Sequence, residues 1–344
     1  MMKETENLKG ELVWEENNNY STIEKIITLH DNDRFCAIHK DYTISFWYKN
    51  EIENIVELKS NIEKSLSINN LAKEGNIHRF KDATLVNDLN NNFFLVLEIS
   101  ISFCDSKQSA YGWQIASLII NLNLASKKVI KIEKVSPFNS SLFYDMNNNL
   151  LIGNTFPNNR IVFLDFPQLT VNKQTEIKGN YRTFVDSDFS LLITNPDVNK
   201  IEIWNYNHLK KLSEITLHKN GYSNDLCYCK SNKVIASNSS QEKMIRIFDI
   251  SSGINIKSIE LPNSSSCRKM TFSTCGNYFL LIMRHDILIF SAKNYEFVTK
   301  LIHPNKNKDT PANDGYINPK TIDMSHDDKF IYTYTSDGVI RKWK

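Results

Sequence analysis

Histidine and cysteine are the side chains in this sequence that could bind a metal ion or act as a base or a nucleophile. No G-x-S-x-G, H-E-x-x-H, C-x-x-C or glycine-rich phosphate loop occurs, so no motif assigns them a reaction. We expect the histidines to be solvated, and we leave open a metal site where the fold gathers several of them. The eight histidines are His30, His39, His78, His208, His218, His285, His303 and His326.

The six cysteines contain one close pair. Cys227 and Cys229 are two residues apart, and such residues point to the same face of a strand. We expect reduced thiols that pack as small core side chains. The alternative is a metal or redox role for this pair.

Basic and aromatic residues are the second group that could do chemistry, by binding. Arginine and tyrosine are frequent anchors of protein interfaces, and basic side chains suit an acidic or phosphorylated partner. To form one surface, these residues must be brought by the fold to the same end of several strands. Ten candidates for protein binding lie in loops of that kind: Arg79, Lys81, Phe156, Tyr181, Arg182, Tyr222, Arg268, Lys269, Tyr316 and Lys320.

The overall composition is that of a folded globular chain. Of 344 residues, 41% are hydrophobic, and the net charge is only +2, with basic residues spread evenly. We therefore expect no nucleic-acid partner. The first residues lack a signal-peptide pattern, and the most apolar segment, 113–124, is about half as long as a membrane helix. We expect no membrane span, no cofactor, and a location in the cytoplasm or nucleus.

A short polar turn recurs along the sequence, and an apolar run follows each copy at once. Repetition of this kind indicates a repeat architecture in which each copy is one supersecondary unit. The seven copies lie at 30–34, 90–92, 147–149, 186–190, 230–233, 273–277 and 325–329.

The next strand of each repeat ends in a large apolar residue, except in the second repeat, where SLIINLN near Asn121 takes its place. Successive positions are 74, 43, 40, 44, 42 and 53 residues apart. Four of these spacings match the period of about 40–45 residues of four-stranded propeller blades. Two insertions explain the longer ones: a helix-like segment, 60–80, and a loop, 303–319. The other marker positions are Trp47, Leu164, Trp204, Phe248, Phe290 and Trp343.

Three stretches carry a resemblance to the WD-repeat family: SDGVIRKW at 336–343, MIRIFDISSG at 244–253 and FSTCGNYFLLI at 272–282. The resemblance covers nearly the whole chain and implies a β-propeller that binds other proteins. No repeat has the family's Gly-His pair, so the resemblance assigns the family's buried hydrogen-bonded tetrad to no residue of this chain.

The repeats predict an all-β fold, a single WD-repeat-like seven-bladed β-propeller. The competing interpretation is an open β-sandwich or two β-domains, which also have regularly spaced strands. Neither would be expected to repeat one order of turn and strand seven times. The predicted blades are 21–60, 81–135, 138–178, 181–218, 222–262, 266–303 and 319–344 with 11–15.

The last repeat lacks a fourth strand, whereas the start of the chain has one to spare. Residues 11–15 read as a short strand and belong to no complete repeat. An unpaired strand in mid-sheet invites aggregation, so it needs a cover. We therefore predict that 12–15 pair with 338–343, so that the N-terminal strand closes the last blade. A proline at Val13 is expected to disturb this pairing.

The function most consistent with these patterns is that of a non-catalytic scaffold in a larger complex. Its partner would be a protein or peptide, acidic or phosphorylated, bound at the rim of the central channel or by a projecting hairpin, 93–124. Packing of that hairpin within the molecule is the alternative to projection. The competing function is a propeller enzyme, or a protein that binds a small ligand or metal at the channel mouth.

Overall fold

The structure, a computed structural model, describes most of the chain. The described residues are 9–17, 21–29, 34–68, 77–87, 92–104, 113–135, 142–155, 159–179, 182–219, 223, 225–261, 267–283, 286–303 and 319–344.

Strands account for most of the described residues. The first half of the chain contains β1 (Leu12–Asn17), β2 (Ile23–Thr28), β3 (Arg34–His39), β4 (Thr43–Tyr48), β5 (Glu51–Glu57), α1 (Lys59–Ile68), β6 (Ile77–Asn87), β7 (Phe93–Cys104), β8 (Trp113–Asn123), β9 (Lys128–Val135), β10 (Phe143–Asp145), β11 (Leu150–Asn154), β12 (Arg160–Asp165) and β13 (Thr170–Lys178). The second half contains β14 (Thr183–Asp186), β15 (Leu191–Asp197), β16 (Lys200–Asn205), β17 (Lys210–Thr216), β18 (Asp225–Cys229), β19 (Val234–Ser239), β20 (Met244–Asp249), β21 (Asn255–Glu260), β22 (Lys269–Phe272), β23 (Tyr278–Ile282), β24 (Asp286–Ser291), β25 (Phe297–Ile302), β26 (Pro319–Met324), β27 (Ile331–Thr335) and β28 (Val339–Trp343).

These strands form seven four-stranded antiparallel sheets. Blades 1 to 6 follow chain order, from β2–β5 to β22–β25, and blade 7 has the order β1-β28-β27-β26. This is a seven-bladed β-propeller, as the repeats predicted. Two compact units divide the chain. Unit 1, Met1–Ile55 and Leu217–Lys344, holds blades 1, 5, 6 and 7, apart from the last two residues of β5, and unit 2, Val56–Thr216, holds blades 2, 3 and 4.

The N-terminal strand closes blade 7, which confirms the predicted pairing. Glu15 lies opposite Arg341, and Glu16 lies opposite Ile340. Beyond the strand, Glu11 and Lys344 exchange backbone hydrogen bonds of 2.9 and 2.8 Å. The register shifts between Leu12 and Trp14, so the intervening residue sits in a β-bulge, which was not predicted from the sequence.

Apolar side chains from adjacent blades form the core of each unit. In unit 1, one cluster joins blades 5 and 6, a second joins blades 6 and 7, and a third joins blades 7 and 1. In the third, the rings of Phe35 and Trp47 stack with centroids 5.5 Å apart, and Tyr332 of blade 7 lies 4.7 Å from Phe35. In unit 2, corresponding clusters join blades 2 and 3 and blades 3 and 4.

The turns that recur in the sequence form hydrogen bonds with the turns of neighbouring blades. Asn232 donates from its amide to the carbonyl of Gly276 at 2.8 Å, and Asn277 donates to Asp328 at 2.9 Å. In unit 2, Asn147 donates to a backbone carbonyl of the next turn at 2.8 Å. Each turn in blades 3 to 7 has one residue with positive φ: Asn149, Ser190, Lys233, Gly276 and Asp328. The recurrence therefore reflects a backbone conformation more than a fixed residue type.

Blade 2 has the longest strands of the fold. β7 and β8 contain 12 and 11 residues and pair as far as Cys104 and Trp113. β6 runs beside β7 from Ile77, opposite Ser102, so three strands share this extension. The helix-like insertion predicted at 60–80 contains α1, but 77–80 belong to β6, because they pair with β7 beyond a bulge between Phe80 and Asp82.

The other parts of the predicted insertions lie outside the described residues: 69–76, the hairpin tip 105–112, and 304–318 of the predicted loop. No helix in the described ranges combines the length and apolarity needed to cross a lipid bilayer.

Candidate functional site

A cavity of about 630 Å³ lies within unit 1, at one end of the inner strands of blades 6, 7 and 1. Three of the ten predicted binding residues line it: Arg268, Lys269 and Lys320. We call it the basic cavity. The complete lining is Thr22, Ile23, Glu24, Lys40, Arg268, Lys269, Ile282, Pro319 and Lys320.

The same backbone arrangement places the lining residues in all three blades. The first residues of each inner strand pair with the last residues of the second strand: Ile23 with His39, Lys269 with Ile282, and Pro319 with Thr335. Because the blades repeat this register, the starts of their inner strands meet on one side. Proline suits the first position of a strand, where a missing N–H breaks no ladder bond.

Hydrogen bonds fix the backbone beneath two of the basic side chains. The Arg268 N–H donates to the carbonyl of Ile282 at 2.8 Å, and the Lys40 N–H donates to the carbonyl of Thr22 at 2.8 Å. Both side chains are exposed. A fixed backbone therefore presents mobile charged groups to solvent.

The charge of the basic cavity is unbalanced. Its lining contains four cations, Lys40, Arg268, Lys269 and Lys320, and one carboxylate, Glu24, a net charge of 4 − 1 = +3. Within the described part of the chain, Lys40, Arg268 and Lys320 make no ion pair with a carboxylate. Their charges are therefore available to a ligand. Ile23 and Ile282, which are buried, give the cavity an apolar base.

Two charged lining residues were not predicted from the sequence. Lys40 lies in the turn between β3 and β4. The sequence did not show that β3 ends at His39, so Lys40 was not recognised as a residue of this turn. Glu24 is the exposed residue that follows the buried Ile23 at the start of β2, so its charge and position could also have indicated that it faces outward.

The remaining seven candidates are not part of this cavity. Arg182 is half-buried at the start of blade 4, in unit 2. Arg79 and Lys81 lie on β6, but their side chains are outside the described residues. Phe156, Tyr181, Tyr222 and Tyr316 lie wholly outside them.

Three histidines of unit 1 are buried, contrary to the expectation of solvated loop residues. His39, His218 and His303 are 0%, 2% and 6% exposed. Each contacts a buried hydroxyl, respectively Ser45 at 2.8 Å, Ser237 at 2.8 Å and Thr333 at 3.3 Å. The sequence did not predict these contacts, because His218 and His303 are 19 and 30 residues from their partners.

Two of these networks also include the marker tryptophan of the same blade. Trp47 donates from Nε1 to Ser45 at 2.9 Å, and Trp343 donates to Thr333 at 3.0 Å. His39 Nδ1 contacts the carbonyl of Ser21 at 3.0 Å. Because a carbonyl can only accept, Nδ1 carries the proton and Nε2 accepts from the serine hydroxyl.

Burial controls the protonation of two of the histidines. Burial lowers the pKa of His39, more than its contacts with Ser21 and Asp41 raise it. Burial likewise lowers the pKa of His218, although the Glu242 carboxylate, 3.0 Å from Nδ1, acts in the opposite direction. Both are therefore neutral, hydrogen-bonded parts of the core at neutral pH. His208, in contrast, is exposed.

The cysteine pair lies in the core between blades 5 and 6, as expected for small core side chains. Cys227 and Cys229 are buried together with Cys267. Burial raises the pKa of Cys229, and it raises that of Cys267 to about 12, so these thiols are protonated. Within the described ranges, no group of three or more His, Cys, Asp or Glu side chains is arranged to hold a metal ion.

Comparison with known proteins adds no family to this description. No protein-family model matches the chain, and no relative was found among curated proteins.

Proposed function

We propose that this protein is a non-catalytic interaction scaffold of the WD-repeat type. In this proposal it binds an acidic or phosphorylated segment of a partner protein in the basic cavity. The observation that carries the proposal is the convergence of four cations from three blades on one cavity. Exposed cations at a concave site attract anionic groups and speed their encounter with the protein.

The buried histidines support the WD-repeat part of the proposal. His303, which follows the outer strand of blade 6, forms one hydrogen-bonded network with the Thr333 and Trp343 side chains of blade 7. A buried hydrogen-bonded tetrad is a feature of the WD-repeat family, and this network resembles it, although the sequence motifs assigned the tetrad to no residue of this chain. His218 and Ser237 provide a similar contact in blade 5, with Glu242 as a third member.

The make-up of the cavity favours binding over catalysis. Glu24 is the one carboxylate in the described lining, which includes no histidine or cysteine. A lining of four cations and a single carboxylate suits the binding of an anionic group. The proposed scaffold would work as a subunit of a larger complex in the cytoplasm or nucleus.

The test compares proteins captured from the native source by three forms of the chain. The variant Arg268→Glu with Lys320→Glu reverses two charges in the basic cavity. The control Lys173→Glu with Lys257→Glu makes the same charge change on exposed positions of outer strands β13 and β21. We expect partners recovered by wild type and control to be lost from the cavity variant. Equal recovery by all three forms would refute binding at this site.

A further inference from the structure

The charges of the basic cavity are distributed unevenly over the three blades. This distribution restricts the kind of ligand that the cavity can bind. Blades 6 and 7 contribute Arg268, Lys269 and Lys320 and no carboxylate. Blade 1 contributes Lys40 and Glu24, whose charges balance. The cavity therefore has a strongly cationic side and a side that contains an acidic group.

The cationic side suits a phosphoryl group better than a carboxylate. A phosphorylated serine or threonine carries a charge of about −1.5 to −2 and three acceptor oxygens. Arg268 can donate two parallel hydrogen bonds to such a group, and the two lysines can add point charges. A single carboxylate has one charge and two oxygens, so it complements this cationic side less well than a phosphoryl group.

The acidic group on the other side discriminates against a run of acidic residues. Glu24 is exposed and makes no ion pair within the described part of the chain. Burial raises the pKa of Tyr42 in the β3–β4 turn, and the charge of Glu24 adds to this effect. A second anion placed there would be repelled, whereas a lysine or arginine of the ligand would be attracted.

We infer that the basic cavity recognises a protein segment in which a phosphoserine or phosphothreonine lies within a few residues of a lysine or arginine. The phosphoryl group would lie against Arg268, Lys269 and Lys320, and the basic residue would lie against Glu24. The cavity volume of about 630 Å³ falls in the range of ligand pockets, about 300–1,000 Å³. This inference rests on the proposed function and deepens it.

Three short fluorescein-labelled peptides on a common glycine-serine background test the inference by fluorescence anisotropy with the full chain. The first carries phosphothreonine and a nearby arginine, the second carries phosphothreonine and alanine, and the third carries glutamates at both positions. We expect the first to bind at least about tenfold more tightly than the third. Arg268→Glu with Lys320→Glu should abolish its binding, whereas Lys173→Glu with Lys257→Glu should not.

The role of Glu24 has a separate readout. Glu24→Gln should bring the affinities of the first and second peptides together, because it removes the partner of the arginine but keeps the cationic side. An unchanged ratio would overturn the inference, as would glutamate peptides that bind as well as the first. Inorganic phosphate and inositol hexakisphosphate serve as competitors. Binding of either without binding of any peptide would also overturn it.

The two proposals can fail separately. If the charge reversal in the cavity removes natural partners but no phosphopeptide binds, the scaffold stands and the inferred ligand is wrong. If natural partners are unaffected by the charge reversal, the proposed function itself is wrong.

Discussion

Arg341 donates from Nε to Oε2 of Glu15 at 3.2 Å, although the two residues are 326 positions apart in the chain. They are also opposite each other in the pairing of β28 with β1. Arg341 is fully buried, and it donates further hydrogen bonds to Thr335 and Asp337 at 2.5 Å each. The closure of blade 7 therefore combines a backbone ladder with a buried charged group.

A proline in β1 should destabilise the fold if it removes a ladder hydrogen bond. Glu11 and Lys344 exchange backbone hydrogen bonds. Because hydrogen-bonded residues alternate along an antiparallel strand, Lys342 and Ile340 should also form backbone hydrogen bonds with β1. Glu16, opposite Ile340, thus donates to β28. We expect Glu16→Pro to lower the free energy of unfolding in urea by about 1–3 kcal/mol.

Val13 supplies the matched control for this proline, because the structure changes what its substitution should do. Val13 lies in the bulge between Leu12 and Trp14 and is 52% exposed. Bulges tolerate proline, so Val13→Pro should cost less than Glu16→Pro. Equal losses from the two substitutions would show that the assumed hydrogen-bond pattern is incorrect.

Loss of the Asp337 charge should destabilise blade 7. Burial disfavours ionisation of Asp337, but the hydrogen bonds and charge of Arg341 outweigh it and lower the pKa of Asp337. Asp337→Asn would leave the Arg341 guanidinium with less compensation, at a cost of about 3 kcal/mol at neutral pH. The exposed Glu51→Gln is the control.

The same pKa gives the sign of an acid effect. Because the folded pKa of Asp337 lies below its unfolded value, its contribution is complete above about pH 4 and is lost as pH falls through the folded pKa. Urea unfolding across this range should show a weaker pH dependence for Asp337→Asn than for wild type. Parallel curves would contradict the assignment.

A buried neutral histidine should make the fold less stable in mild acid. The folded pKa of His218 is lower than its unfolded value, so the unfolded chain binds more protons below about pH 6.5. Stability should therefore fall from about pH 7.5 to about pH 5, by at most about 1.4 kcal/mol per pH unit from this residue. His218→Gln should reduce the slope, whereas the exposed His208→Gln should leave it unchanged.

Alanine substitutions at two glycines with similar φ angles distinguish the cost of a steric clash from the cost of an unfavourable backbone conformation. Gly276 has φ +73°, and a Cβ there would lie 2.8 Å from Cβ of Ser231 in the neighbouring blade. Gly338 has φ +81°, and nothing lies within 4 Å of its Cβ position. Gly338→Ala should cost about 1 kcal/mol, and Gly276→Ala should cost about 1–3 kcal/mol more. Equal melting temperatures would indicate that the blade 5 turn yields without cost.

The blade count and the closure could be predicted because they depend on local repetition. Each recurring turn precedes an apolar strand, and both features lie within a few consecutive residues. The extra strand at residues 11–15 and the lack of a fourth strand in the last repeat could also be recognised from the sequence alone. The bulge at Val13 was not predicted, because it is defined by the register of β1 with β28, a strand at the other end of the sequence.

The site was harder to predict because it depends on contacts between distant residues. Arg268 and Lys320 were identified from their position before inner strands, but nothing local showed that they line the same cavity as Lys40. The buried histidines were misjudged for a related reason. His303 follows the outer strand of blade 6 and looks like a loop residue, and its hydroxyl partner, Thr333, lies in blade 7.

The pairing of β1 with β28 also sets an order of events during synthesis. The ribosome delivers Glu15 early and Arg341 late, at about 5–20 residues per second, so the interval between them is roughly 16–65 s. During this interval β28 has not been synthesised, so β1 has no native strand to pair with while the other blades emerge. The final blade is therefore the last to assemble, and loop-closure entropy makes this long-range step a slow one.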